Sequence, residues 1–183
     1  MDITHDQLKE IIQQSLQRFL ESDTRNLQAN VSEINLCARL AMFLQLVADE
    51  QGLEGYYADT EYNRKQEGAV KTMMGGDMQV IPIRCDLLLH SRGERILQDN
   101  LIAVEAKKRS QHENQIEKDR ERLRILTNAS YGDNTWSADG IAHPEHVCGY
   151  ALGCMLVVDG ENQSIEVEHF INGETAGSYA LNF

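Results

Sequence analysis

Apolar positions along the chain alternate between a helical and a strand-like period, and each run predicts an element. From Thr4 to Glu21, Leu8, Ile11, Ile12, Leu16, Phe19 and Leu20 recur at the spacing of one helix face, behind the capping box Thr4-x-x-Gln7. Leu36, Cys37, Leu40, Leu44 and Val47 predict a second helix that starts near Asn30 to Ser32 and runs to about Glu50. After Gly52 and Gly55, the Tyr and Thr content of Tyr56 to Asn63 predicts a first strand. Arg64 to Met78, with three glycines and three basic residues, predicts a long loop, either an ordinary connection or one that reaches over a nucleic-acid backbone.

Val80 to His90 and Leu101 to Lys107 are apolar runs of strand length, and the turn-rich Ser91-Arg92-Gly93-Glu94 lets the chain fold back between them. Pro82 marks an edge or bulged start, because proline has no N–H for the ladder. Ser110-x-x-Glu113 is another capping box, predicting a helix through about Thr127 with Ile116, Leu123 and Leu126 inward. Gly149 to Asp159 reads as an apolar central strand, Asp159-Gly160 as a tight turn and Ser164 to Ile171 as an alternating strand. The class is α/β.

With 183 residues the chain suits one domain able to bury a sizeable core. The N-terminus is polar and no apolar run approaches the roughly 20 residues that span a bilayer, so a cytoplasmic protein without a membrane segment is expected. Cys37, Cys85, Cys148 and Cys154 form no C-x-x-C pair and lie in or beside apolar segments, which predicts buried free thiols.

Side chains alternate across a strand, so Leu101, Ala103, Glu105 and Lys107 share one face while Ile102, Val104 and Ala106 share the other. The same period groups Arg84, Asp86 and Leu88, and the fold-back brings Asp86 beside Glu105. Two carboxylates at that separation repel unless a cation lies between them, and oxygen ligands suit a hard one, Mg²⁺ or Mn²⁺.

Asp86 followed by Glu105-Ala106-Lys107 resembles the PD-(D/E)xK nuclease superfamily, with Cys85 standing where the family name has proline. The βββαβ order behind a leading helix is similar to the restriction-endonuclease-like core. The resemblance covers roughly residues 30–160. It implies a mixed central sheet flanked by helices, with residues 1–29 as an extra N-terminal helical extension and 161–183 as a C-terminal strand extension. It also implies Mg²⁺-dependent phosphodiester hydrolysis, of DNA or else RNA. Asp86 and Glu105, with the Ala106 carbonyl and Glu33, would hold the metal; Lys107 would position or deprotonate the attacking water. Glu33 also suits a plain helix-start role, since acids are favoured there. Many relatives cut as dimers, so a homodimer is one expected arrangement.

The charge pulls the other way. A net charge of −12 opposes binding to polyanions. The Lys/Arg residues cluster, however, seven of them from Lys107 to Arg124 against four acids, with none afterwards. Arg84, Lys108, Arg109, Lys118 and Arg122 are the candidate nucleic-acid contacts, with the C-terminal hairpin left free. The bland reading of the same stretch is a solvated helix with ion pairs. An acidic, non-catalytic module that binds a protein partner is the competing function. His143-x-x-His146-x-Cys148 with Cys154 has zinc-type ligands but not the spacing of a known finger. Tyr131 and Trp136 lie in a loop where an exposed ring stacks on a base or closes a core edge. Gln111 is followed by Gln115, not Tyr, so the exonuclease-like branch with Gln-x-x-x-Tyr is not assigned.

Overall fold

The computed structural model describes residues 3–62, 72–74, 80–82, 85–95, 98–128 and 149–183. Two helices lead, α1 (His5–Gln28) and α2 (Glu33–Glu50), and pack against each other. Then come β1 (Tyr57–Thr60), β2 (Thr72–Met74), β3 (Val80–Pro82), β4 (Leu87–His90), β5 (Asn100–Lys108), α3 (Glu113–Thr127), β6 (Leu152–Asp159), β7 (Ser164–Ile171) and β8 (Glu174–Asn182). Six strands form a mixed sheet in the order β1-β4-β5-β6-β7-β8. Only β5 and β6 run parallel there, and they are the neighbours joined through a helix, as a parallel pair requires. A separate antiparallel pair, β2 with β3, falls within what the sequence reads partly as loop and partly as the start of one long strand.

The alternation of β5 puts different layers on its two faces. Ile102, Val104 and Ala106 join the core formed with α1 and α2, while Ala103 joins the core under α3. Leu101 departs from the expected face and packs with the first core, next to the register shift between Leu89 and His90. The fold-back between β4 and β5 is closed by Asp99. Its Oδ1 accepts from Ser91 Oγ (2.6 Å) and the Gly93 N–H (2.8 Å), while the Ser91 N–H donates to its carbonyl (2.9 Å). Arg92 and Gly93 both take positive φ there.

Two helix ends differ from the sequence expectation. α1 continues past Glu21 because Leu27 extends the buried stripe and Asp23, at a core position, is neutralised by a two-pronged pair with Arg39 of α2 (2.9 and 2.8 Å). α3 starts at Glu113 behind His112, whose side chain makes no cap bond, so Ser110 does not form the expected box. α3 sits tightly on β6 at Gly153, where an added Cβ would lie 3.0 Å from Thr127 Cγ2 and 3.2 Å from Phe170 Cβ. Cys37, Cys85 and Cys154 are buried free thiols; Cys148, His143, His146, Tyr131, Trp136, Arg84 and nearly all of the Arg64 to Met78 stretch lie outside the described residues. Among the described residues, no helix is long and apolar enough to cross a membrane.

Candidate active site

At the C-terminal end of β5 the two layers meet. Leu87 pairs with Val104, so Asp86, one residue before β4, falls beside the end of the same ladder, and its Oδ2 accepts the Ala106 N–H at 2.9 Å. The sequence expectation that Asp86 and Glu105 share a place is met by this register. Glu105 points toward α3 and is wholly buried. Its Oε1 accepts from Arg122 Nη1 at 2.7 Å, and its Oε2 is buried with no hydrogen-bond partner among the described residues.

Loss of water raises the Glu105 carboxyl to about 8; Asp86 adds to the rise and Arg122 opposes it. The Lys107 ammonium is surrounded by acids: Asp119 Oδ2 at 3.1 Å, Glu33 Oε2 at 3.6 Å and Asp86 Oδ2 at 3.8 Å, with the Ala106 carbonyl accepting at 3.2 Å. Burial alone would lower its pKa, but Asp86, Asp119 and Glu33 outweigh it and hold the lysine charged above its ordinary range. Cys37 and Cys85 flank the cluster. Burial, with Asp86 and Glu105 adding to it, pushes the Cys37 thiol up, and burial with Glu105 does the same to Cys85. Thiols kept protonated are neither nucleophiles nor soft-metal ligands.

Glu33 begins α2 directly behind the N-cap Ser32. Its Oε1 accepts the Lys108 N–H at 3.1 Å, tying the helix start to the end of β5. Asp119 is the site residue that sequence reasoning missed. It is 4% exposed and lies on the stripe with Ile116 and Leu123, a phase visible in the sequence but masked by the charged residues around it. Arg122, expected to face nucleic acid, is turned inward onto Glu105 and Asp119, the latter at 2.9 Å.

Two other basic candidates, Lys108 and Arg109, are also drawn into the fold. Lys108 Nζ donates to the Asn30 carbonyl at 2.9 Å, and Arg109 is ion-paired with Glu166 of β7. Lys118 is exposed and makes no ion pair among the described residues.

Among the described residues, no three His, Cys, Asp or Glu side chains converge as a metal-ligand group. What lies at this strand end is two carboxyl groups and a main-chain carbonyl: Asp86 on the Ala106 N–H, Glu105 on Arg122, and the Ala106 carbonyl accepting from Lys107 Nζ. Among the described residues four carboxyl groups, Glu33, Asp86, Glu105 and Asp119, stand against two basic side chains, Lys107 and Arg122; the excess is one negative charge while Glu105 keeps its proton and two once that proton is lost. That excess and the open Glu105 Oε2 fit a hard divalent cation. Compared with known proteins, the chain matches no family model and no curated protein sequence.

Proposed function

We propose that the chain has a restriction-endonuclease-like core and is a Mg²⁺- or Mn²⁺-dependent nuclease that hydrolyses phosphodiester bonds of DNA, or of RNA. The carrying observation is the Asp86, Glu105 and Lys107 cluster at one strand end, with Glu105 Oε2 buried and, among the described residues, without a hydrogen-bond partner beside an excess of negative charge. Asp86 and Glu105, with the Ala106 carbonyl, would hold the cation; Glu33, the other candidate ligand, also fixes the end of β5 through the Lys108 N–H. The metal supplies Lewis acidity and lowers the pKa of bound water. Lys107 stays protonated next to its acids, so its work is electrostatic: it orients the attacking water and offsets charge that develops on the phosphate.

Labelled single- and double-stranded DNA and RNA, incubated with Mg²⁺, Mn²⁺ or EDTA, test this. Cleavage that needs the metal and disappears in Asp86→Asn is the expected result, and no cleavage of any substrate overturns the reading.

A second reading, an acidic module that binds a protein, is favoured by a separate observation. Ile34, Met42 and Leu46 are exposed on one face of α2, at 60, 58 and 47%. Together with the charge of −12 this face suits a protein partner better than a polyanion.

A further inference from the structure

The motif does not account for Asp119. On α3, Ile116, Asp119, Leu123 and Leu126 share one buried stripe against the sheet. A carboxylate in such a stripe is costly unless paired, and this one is paired twice. Oδ1 lies 2.9 Å from Arg122 Nη1, and Oδ2 lies 3.1 Å from Lys107 Nζ, the shortest of that ammonium's three carboxylate distances. Arg122 Nη1 in turn donates to Glu105 Oε1. One side chain of the helix therefore touches Lys107 directly and Glu105 through a single arginine.

We propose that Asp119 is a positioning residue of this site, fixing the Lys107 ammonium on the α3 side and, through Arg122, the Glu105 carboxylate with Oε1 engaged and Oε2 open. The contact is a property of the fold; its use in catalysis rests on the nuclease reading. A lysine head on a flexible four-carbon stem goes where its nearest counter-charge lies. With Asp119 neutral, the remaining acids are Glu33 and Asp86, at 3.6 and 3.8 Å. An ammonium that settles on Asp86 competes with a cation for the same oxygens and leaves the position from which it would meet a water or phosphate. Arg122 would likewise be left with Glu105 as its acid partner and lose the contact that sets its angle.

Two measurements test this, and they fail separately. The first needs no activity: urea unfolding midpoints in EDTA for wild type, Lys107→Met, Asp119→Asn and the double variant. The expected result is a double variant that loses clearly less than the sum of the two single losses, because the two side chains share one interaction. Additive losses overturn the direct contact and the proposal with it. The second is single-turnover cleavage at saturating Mn²⁺. Asp119→Asn should slow the step roughly tenfold or more, the scale of misplacing one reacting group, with DNA affinity in Ca²⁺ unchanged. Asp119→Glu, which keeps the charge one methylene further out, should recover part of the rate. A rate equal to wild type in Asp119→Asn, or equal loss in both variants in step with lowered stability, overturns positioning. Absence of cleavage by wild type removes the nuclease reading, and the unfolding cycle still decides whether Asp119 holds Lys107.

Discussion

Glu105 carries a carboxyl that burial raises to about 8, against about 4.3 for an unfolded glutamate. Between those values the folded protein keeps a proton that the unfolded chain has released, so folding loses stability as pH rises from about 4.3 and the loss levels off above about 8. Each pKa unit is worth about 1.4 kcal/mol, which makes the total on the order of a few kcal/mol. Glu105→Gln cannot ionise, and its carbonyl still accepts from Arg122. In EDTA the variant and wild type should match near pH 4 and diverge toward pH 8, with the variant more stable; parallel urea-unfolding curves against pH would contradict this. Mn²⁺ should raise the wild-type melting temperature by mass action and leave Asp86→Asn and Glu105→Gln nearly unmoved. Lys107→Met removes the internal cation that Asp86, Glu33 and Asp119 share. Its metal-free melting temperature should fall, its gain from Mn²⁺ should exceed that of wild type, and single-turnover cleavage should drop about a hundredfold, the scale of one positioned group. Cleavage at the wild-type rate would take Lys107 out of the mechanism.

At the scale of elements, the site depends on how α3 lies on the sheet, and Gly153 sets that distance. An alanine there meets Thr127 Cγ2 and Phe170 Cβ, and Thr127 is itself held by the Leu123 carbonyl (2.8 Å) and the Gly173 N–H (3.2 Å). Gly153→Ala should therefore lower stability by about 1–3 kcal/mol, the usual effect of overpacking, read as a shift in the denaturant midpoint. A neutral substitution would mean that α3 rides further from β6 than this packing implies. Period-two alternation sorts β5 between its two layers from Ile102 to Ala106, with Leu101 the exception, and the turn residues Arg92 and Gly93 mark the fold-back, closed by Asp99, that brings Asp86 next to Glu105. Partners brought in from elsewhere were not readable this way. Asp23 looks like a helix-ending polar residue until Arg39 from α2 neutralises it. Asp119 looks like one more charge in ENQIEKDRERLRILT, although its phase with Ile116 and Leu123 marks it as inward. Arg122 looks like a phosphate contact because nothing local reveals the Glu105 carboxylate on the strand beneath it.

For the whole molecule, the charge map changes once the ion pairs are drawn. From the sequence the basic stretch from Lys107 to Arg124 reads as a free footprint, with the C-terminal hairpin apart from it. In the fold, β7 of that hairpin sends Glu166 to Arg109 and Glu168 to Arg120, at 2.6 Å for the latter, while Glu117 and Glu121 pair with Arg124. Phosphates must displace these acids, so duplex DNA should bind weakly. With each neutralised phosphate contributing about −0.9 to the slope of log K against log salt, the slope should be no steeper than about −3. Contrary to a hairpin without influence, Glu166→Gln frees Arg109 of its ion-pair acid and should raise DNA affinity and steepen the slope by up to about 0.9. Glu168→Gln should do less, because Arg120 keeps Glu113 and Glu117 at 2.8 and 3.2 Å. Charge reversal at exposed Lys118 should weaken binding. Fluorescence anisotropy of labelled duplex in Ca²⁺, over a salt series, measures all three. If wild type and Glu166→Gln both fail to bind at low salt, the acidic surface is not made for polyanions, and the protein-binding reading replaces the nuclease.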